Sequence, residues 1–187
     1  MQTKDRINKL QGEFRNLKLS IITGEIDIKL NNSIMDRVEA MDFIINSFPS
    51  DILTGSIALR LYGLLDRYHN DIDIIINDSK RYPSYEKEKY GDEESDFIDS
   101  NRLGTRTLAY KSGIFSKKKL YEVDFFENID TKYQEVIFKR KKFKIQEPLE
   151  ILNHKMIMAS NNSSSSTKHL VDLECIFRKY NELVTIY

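Results

Sequence analysis

Asp71 and Asp73 stand one residue apart inside "DIDIIIN", a run whose other members are mostly β-branched. Residues two apart in a strand point to one face, so both carboxylates project together while Ile72 and Ile74 turn away. Their Cα atoms are then about 6–7 Å apart, within reach of one divalent ion. Without a cation the two acids would repel and lose hydration, and one would take up a proton. A third acid, Asp124, sits in "YEVDFFEN", a second β-rich run. If that strand lies beside the first, at about 4.8 Å, three carboxylates converge. Such a set suits one or two Mg²⁺ ions that keep positions open for water and substrate phosphates. Upstream, Gly55 and Ser56 follow the short run "DILT". Glycine lets backbone approach an anion closely, and a serine opening a helix adds a hydroxyl to the free N–H groups there. A phosphate cradle followed by metal ligands suits a metal-bound nucleoside triphosphate.

Several elements must position these groups. "DILTG" predicts a short strand ending at a turn, "SIALRLYGLL" a helix, and "DIDIIIN" a central strand. The polar, unpatterned stretch over 78–101 is expected to be a long surface loop. "GTRTLAY", a turn at "KSGIFSKK" and "KLYEVDFFEN" predict a hairpin, and "EVIFKRKKFKI" two further short strands. After Pro148, "LEILNHKMIMA" and "TKHLVDLECIFRKYNELV" predict helices joined by the solvated linker "SNNSSSS". Before the core, Ile7, Leu10, Phe14, Leu17 and Ile21 form one helical stripe. Ile34, Val38, Met41, Ile45 and Phe48 form another, with Ser33 and Asp36 resembling a capping box. These two helices either pair as a hairpin that offers a homodimer surface or pack on their own domain. "EIDIKL" between them is a short strand or a linker. The expected class is α+β, a small mixed sheet with helices on one face plus N-terminal and C-terminal helices. Residues 1–50 would be a helical segment packed on the core, 51–147 the core, and 148–187 the C-terminal helices of one compact unit.

The bulk composition bounds the partners. With 187 residues, 40% hydrophobic and 31% charged, the chain can bury one core and keep a solvated surface. Twenty-nine basic residues balance 29 acidic ones, so no global field recruits nucleic acid or an anionic membrane. Cys175, the one cysteine, cannot form an internal disulfide and is expected to be buried in its helix. No apolar run approaches the roughly 20 residues of a membrane span, and the N-terminus lacks a signal-like apolar stretch. The cytoplasm is the expected compartment, with no membrane partner.

"TGSIALRLYGLLDRYHNDIDIII", with Asp124 on a later strand, resembles the nucleotidyltransferase superfamily, whose members share a DNA polymerase beta-like fold. Within it the chain looks most like the abortive-infection type toxin nucleotidyltransferases. Those tend to carry an Arg four residues before the first Asp, which Arg67 matches. They also carry a Lys on a helix after a β-rich segment, matched by Lys155, and a later basic residue and Asp, matched by Lys168 and Asp172. The resemblance implies transfer of a nucleoside monophosphate from a nucleoside triphosphate, such as ATP, to a hydroxyl of tRNA, protein or a small molecule. It implies a toxin role with an antitoxin partner, and two Mg²⁺ ions, replaceable by Mn²⁺, on Asp71, Asp73 and Asp124. Gly55 and Ser56 would hold the β- and γ-phosphates, with Arg67 and Lys155 as further nucleotide contacts.

The chain departs from the pattern in three places. The 14 residues between Ser56 and Asp71 exceed the usual gap, 50 residues separate Asp73 from Asp124, and "SNNSSSS" replaces a tighter link. Plainer readings stand beside the functional ones. Arg67 could pair with Asp66, Lys155 could form a salt bridge, and Lys168 with Asp172 makes an i, i+4 surface pair. His69 and His154 are read as structural. "FKRKKFK" could contact an RNA backbone, or its lysines could protect an edge strand. A non-catalytic nucleotide- or RNA-binding relative and a metal-dependent nuclease are the alternative functions.

Overall fold

A computed structural model describes residues 3–67, 71–76, 97–98, 107–116, 119–127, 130–160 and 166–184. Most of the expected 78–101 loop, together with His69, lies outside the described residues. Two compact units emerge, one of residues 1–31, 59–66 and 148–187, the other of 32–58 and 67–147. Residues 1–31 thus group with the C-terminal helices and 32–50 with the sheet.

The second unit is built on a mixed sheet. Its strands are β1 (Ile52–Leu53), β2 (Asp71–Ile76), β3 (Phe97–Ile98), β4 (Thr107–Ser116), β5 (Lys119–Glu127), β6 (Tyr133–Phe138) and β7 (Lys141–Gln146). They lie in the order β3-β4-β5-β2-β1-β7-β6. β4 and β5 form the expected antiparallel hairpin, and the two short strands expected next, β6 and β7, form another. β2 runs parallel to β5, and β1 runs antiparallel to β2 but parallel to β7. Period two sorts β2 and β5 into faces: Ile72, Ile74, Val123 and Phe125 are buried on one, and Asp71, Asp73 and Asp124 lie half-buried on the other.

The apolar face is covered by residues 32–50. Phe43 stacks on Tyr121 with ring centroids 4.1 Å apart, and Phe48 meets Phe125 edge-on at 5.6 Å. The predicted single helix over this stretch is instead two, α2 (Asn32–Met35) and α3 (Met41–Ser47). Between them Arg37 N–H bonds Ile34 O and Met41 N–H bonds Val38 O, both i→i−3. Met35, Val38 and Met41 are all buried at a spacing of three, which a tighter turn keeps on one side and an α-helix would fan apart. "EIDIKL" is neither helix nor strand.

α4 (Gly55–Leu61) ends where the chain supplies a glycine. Gly63 has φ +69, its N–H bonds Arg60 O, and Leu64 N–H bonds Leu59 O, the paired closure of a Schellman turn. The helix is thus shorter than the expected ten residues. In the first unit α1 (Thr3–Ile22), α5 (Pro148–Ser160) and α6 (Ser166–Val184) pack together. Arg6 grips Glu174 with two bonds of 2.8 Å. Leu170, Leu173, Ile176 and Phe177 form the buried stripe of α6. Cys175 falls on the opposite side and is exposed, which corrects the expectation of a buried thiol. No helix among the described residues is long and apolar enough to cross a membrane.

Candidate metal and phosphate site

The parallel pairing of β2 with β5 sets Asp73 directly opposite Asp124, in the register Asp71↔Glu122, Ile72↔Val123, Asp73↔Asp124. Opposed residues in adjacent strands share a face, so Asp71, Asp73 and Asp124 converge. One carboxylate oxygen from each lies within 4.8 Å of the others. Two oxygens on one Mg²⁺ at about 2.1 Å are at most about 4.2 Å apart. The observed spread therefore admits one ion after small side-chain rotations, or two ions sharing the cluster. The donors are all hard carboxylate oxygens, which suit a hard cation rather than the softer metals that seek His or Cys.

The glycine corner meets this cluster. Gly55 has φ +66, a left-handed conformation that disfavours any side chain. A Cβ placed there would lie 1.7 Å from Asp73 Oδ2, 2.5 Å from its Cγ and 2.7 Å from its Cβ. Asp73 thus occupies the space that the missing side chain leaves, and glycine is required twice over, by backbone and by contact. Thr54 N–H bonds Asp73 O at 3.0 Å and locks the corner to β2. Next in line, Ser56 is buried, and Arg67 Nη2 donates to its Oγ at 2.9 Å. Arg67 is thereby drawn to the Gly-Ser corner, while Asp66 is exposed.

Lys155 is placed differently. It lies in the helical unit, buried, and its Nζ donates to Asp172 Oδ2 at 2.8 Å. Asp172 is only 3% exposed, so the expectation of a surface i, i+4 partner for Lys168 is corrected: this carboxylate neutralises a buried ammonium. His154 and His169 adjoin the pair, and burial, reinforced by the Lys155 charge, lowers both imidazoles' pKa, that of His169 to about 4. His169 Nδ1 is buried with no hydrogen-bond partner among the described residues.

Two features escaped the sequence reading. Glu122, the register partner of Asp71, repeats in "YEVD" the two-residue spacing of Asp71 and Asp73 and is exposed on the same face. That spacing was a usable signal. Thr54 and Gln146, both buried and hydrogen-bonded to each other, extend the row from Asp73 across β1 and β7, and no local pattern announces them. Comparison of the chain with protein-family models, curated proteins and solved structures found no match.

Proposed function

We propose that this chain is a Mg²⁺-dependent nucleotidyltransferase that moves a nucleoside monophosphate from a nucleoside triphosphate to a hydroxyl acceptor. The observation that carries it is the seating of Gly55 on Asp73, which sets a glycine corner, Ser56 and Arg67 against three convergent carboxylates. A carboxylate cluster alone would serve phosphodiester hydrolysis as well. The corner adds Ser56, the Arg67 guanidinium and the first turn of α4 beside the acids, groups that suit a polyphosphate tail.

Asp71, Asp73 and Asp124 would hold the ions. When bound, Mg²⁺ neutralises phosphate charge and lowers the pKa of an attacking hydroxyl. Arg67 carries a charge that persists at any working pH and holds it at Ser56, where it favours an anionic tail. Fixing donor and acceptor beside each other removes most of the orientational cost of reaction. The acceptor oxygen bonds the α-phosphorus as the bond to the bridging oxygen breaks; pyrophosphate leaves and the hydroxyl proton passes to solvent. Lys155 is left out of these contacts because its ammonium is engaged by Asp172.

The test incubates purified chain and Mg²⁺ with each α-phosphate-labelled nucleoside triphosphate, against total RNA, lysate protein and aminoglycosides. Label should appear in one acceptor fraction with pyrophosphate released, and Asp73→Asn should abolish both. Transfer that survives in Asp73→Asn defeats the mechanism. Nucleotide binding without pyrophosphate release leaves a non-catalytic binder instead.

A further inference from the structure

The β6–β7 hairpin is the site of a local concentration of positive charge. Residues 132–144 read "KYQEVIFKRKKFK", six basic residues against one acid in a chain of zero net charge. Lys139 and Arg140 form the turn, both at positive φ (47° and 66°). Period two then sorts the cations. Lys139 and Lys141 are tied back to α3, through Asp42 and Asn46. Lys142 and Lys144 point to the other face, opposite Ile137 and Glu135.

That other face is the one carrying the acids. Ile52 pairs with both Ile75 and Lys144, which puts Lys144 on the face of Ile75 and Asp73. On that face Ile52, Thr54 and Gln146 are buried between the acids and the sheet's edge, where Tyr133 is 42% exposed, with Lys144 Nζ 4.6 Å from its ring centroid, and Ile137 is 68% exposed. Three strand steps, about 14 Å, separate the Asp73 strand from the Tyr133 strand. Edge protection does not account for the lysines, because the edge strand itself, "YQEVIF", has none. They lie on the inner strand and the turn. Cations interleaved with an exposed aromatic ring and an aliphatic side chain suit a polyanion that also offers flat apolar faces.

We infer that the acceptor is a single-stranded nucleic acid whose phosphates run over Lys142 and Lys144 and whose base stacks on Tyr133, its hydroxyl end reaching Asp71, Asp73 and Asp124. This rests on the proposed transferase reading. Stacking on an aromatic platform and backbone neutralisation by lysines are the two contacts such strands make.

The test is fluorescence anisotropy of the full chain with labelled single-stranded RNA and DNA of one mixed sequence, and with the duplex, in EDTA without nucleotide. Single strands should bind more tightly than duplex, and the two sugars show which strand is preferred. Lys142→Gln with Lys144→Gln should reduce the slope of log affinity against log salt by about 1.4, two contacts at about 0.7 each. Tyr133→Ala should weaken binding about 5- to 150-fold with the slope kept, and Tyr133→Phe should restore it. Unchanged slope and affinity in these variants overturn the inference. So does duplex binding as tight as single-strand binding, or sedimentation showing that the variants instead separate a dimer. Hairpin-dependent binding with no label transfer would sink the transferase reading alone. Transfer to nucleic acid that ignores the hairpin variants would sink the surface alone.

Discussion

Replacing Gly55 by alanine probes the joint between the glycine corner and the acids more directly than removing an acid does. The added methyl group meets two penalties. Holding alanine near φ +66 costs about 1–2 kcal/mol, because its Cβ crowds the following carbonyl. The same Cβ would overlap three atoms of Asp73, the nearest at 1.7 Å, and forced repacking of that kind costs about 1–3 kcal/mol. The expected loss is therefore about 2–5 kcal/mol. Gly63 supplies the control: φ is +69, yet nothing lies within 4 Å of its Cβ position, so Gly63→Ala should lose only about 1–2 kcal/mol. Relieving the overlap must displace Asp73, one of the three convergent carboxylates, so Gly55→Ala should also weaken Mn²⁺ binding. Urea denaturation followed by circular dichroism in EDTA measures the first effect, and calorimetric titration with Mn²⁺ the second. Combining Gly55→Ala with Asp73→Gly deletes the overlapped atoms and should recover the contact share of the loss. If Gly55→Ala costs no more than Gly63→Ala and binds Mn²⁺ like the parent, the corner does not bear on the metal site and the proposal loses its support.

Mg²⁺ or Mn²⁺ at a hundredfold excess over its Kd should stabilise the parent chain by about 2.7 kcal/mol, read as a rise in thermal midpoint relative to EDTA. Asp124→Asn should remove that rise; an equal rise in the variant would put the ion elsewhere. Asp172→Ala strands the Lys155 ammonium in the interior and should cost about 3–5 kcal/mol by urea denaturation, whereas Lys155→Met with Asp172→Leu should cost much less. A double variant as unstable as the single one would show that the ion pair is not what the site requires. His169 is held neutral, its pKa lowered to about 4 from an ordinary 6.5. The unfolded chain therefore binds the extra proton between those values, and stability that is full above pH 6.5 should be lost as pH falls toward 4. The buried imidazole of His154 titrates in the same direction. His169→Gln should flatten that dependence, and an NMR titration placing His169 near 6.5 would contradict it.

Local rules carried much of the reading. A strand repeat of two residues is enough to send Asp71 and Asp73 the same way, whereas Gly63, read as interior to its helix, instead closes α4 at Leu61. The hairpin β4–β5 was legible because its strands are neighbours in sequence, and β6 and β7 were legible as strands. The α2–α3 break was not: Ile34, Val38, Met41, Ile45 and Phe48 also fit a single helical stripe, and the i→i−3 bonds that interrupt it leave no mark in the sequence.

What only the tertiary structure decided is which distant groups meet. Fifty residues separate Asp73 from Asp124, and no local preference specifies that β2 and β5 pair in parallel with these two opposed. Gly55 on Asp73 and Lys155 on Asp172 are contacts of the same kind, each joining parts of the chain whose separation local periodicity cannot measure. Asp172 shows the consequence most clearly. Its spacing from Lys168 describes a surface pair, but packing α5 on α6 buries it, and a buried carboxylate requires the buried cation that Lys155 provides.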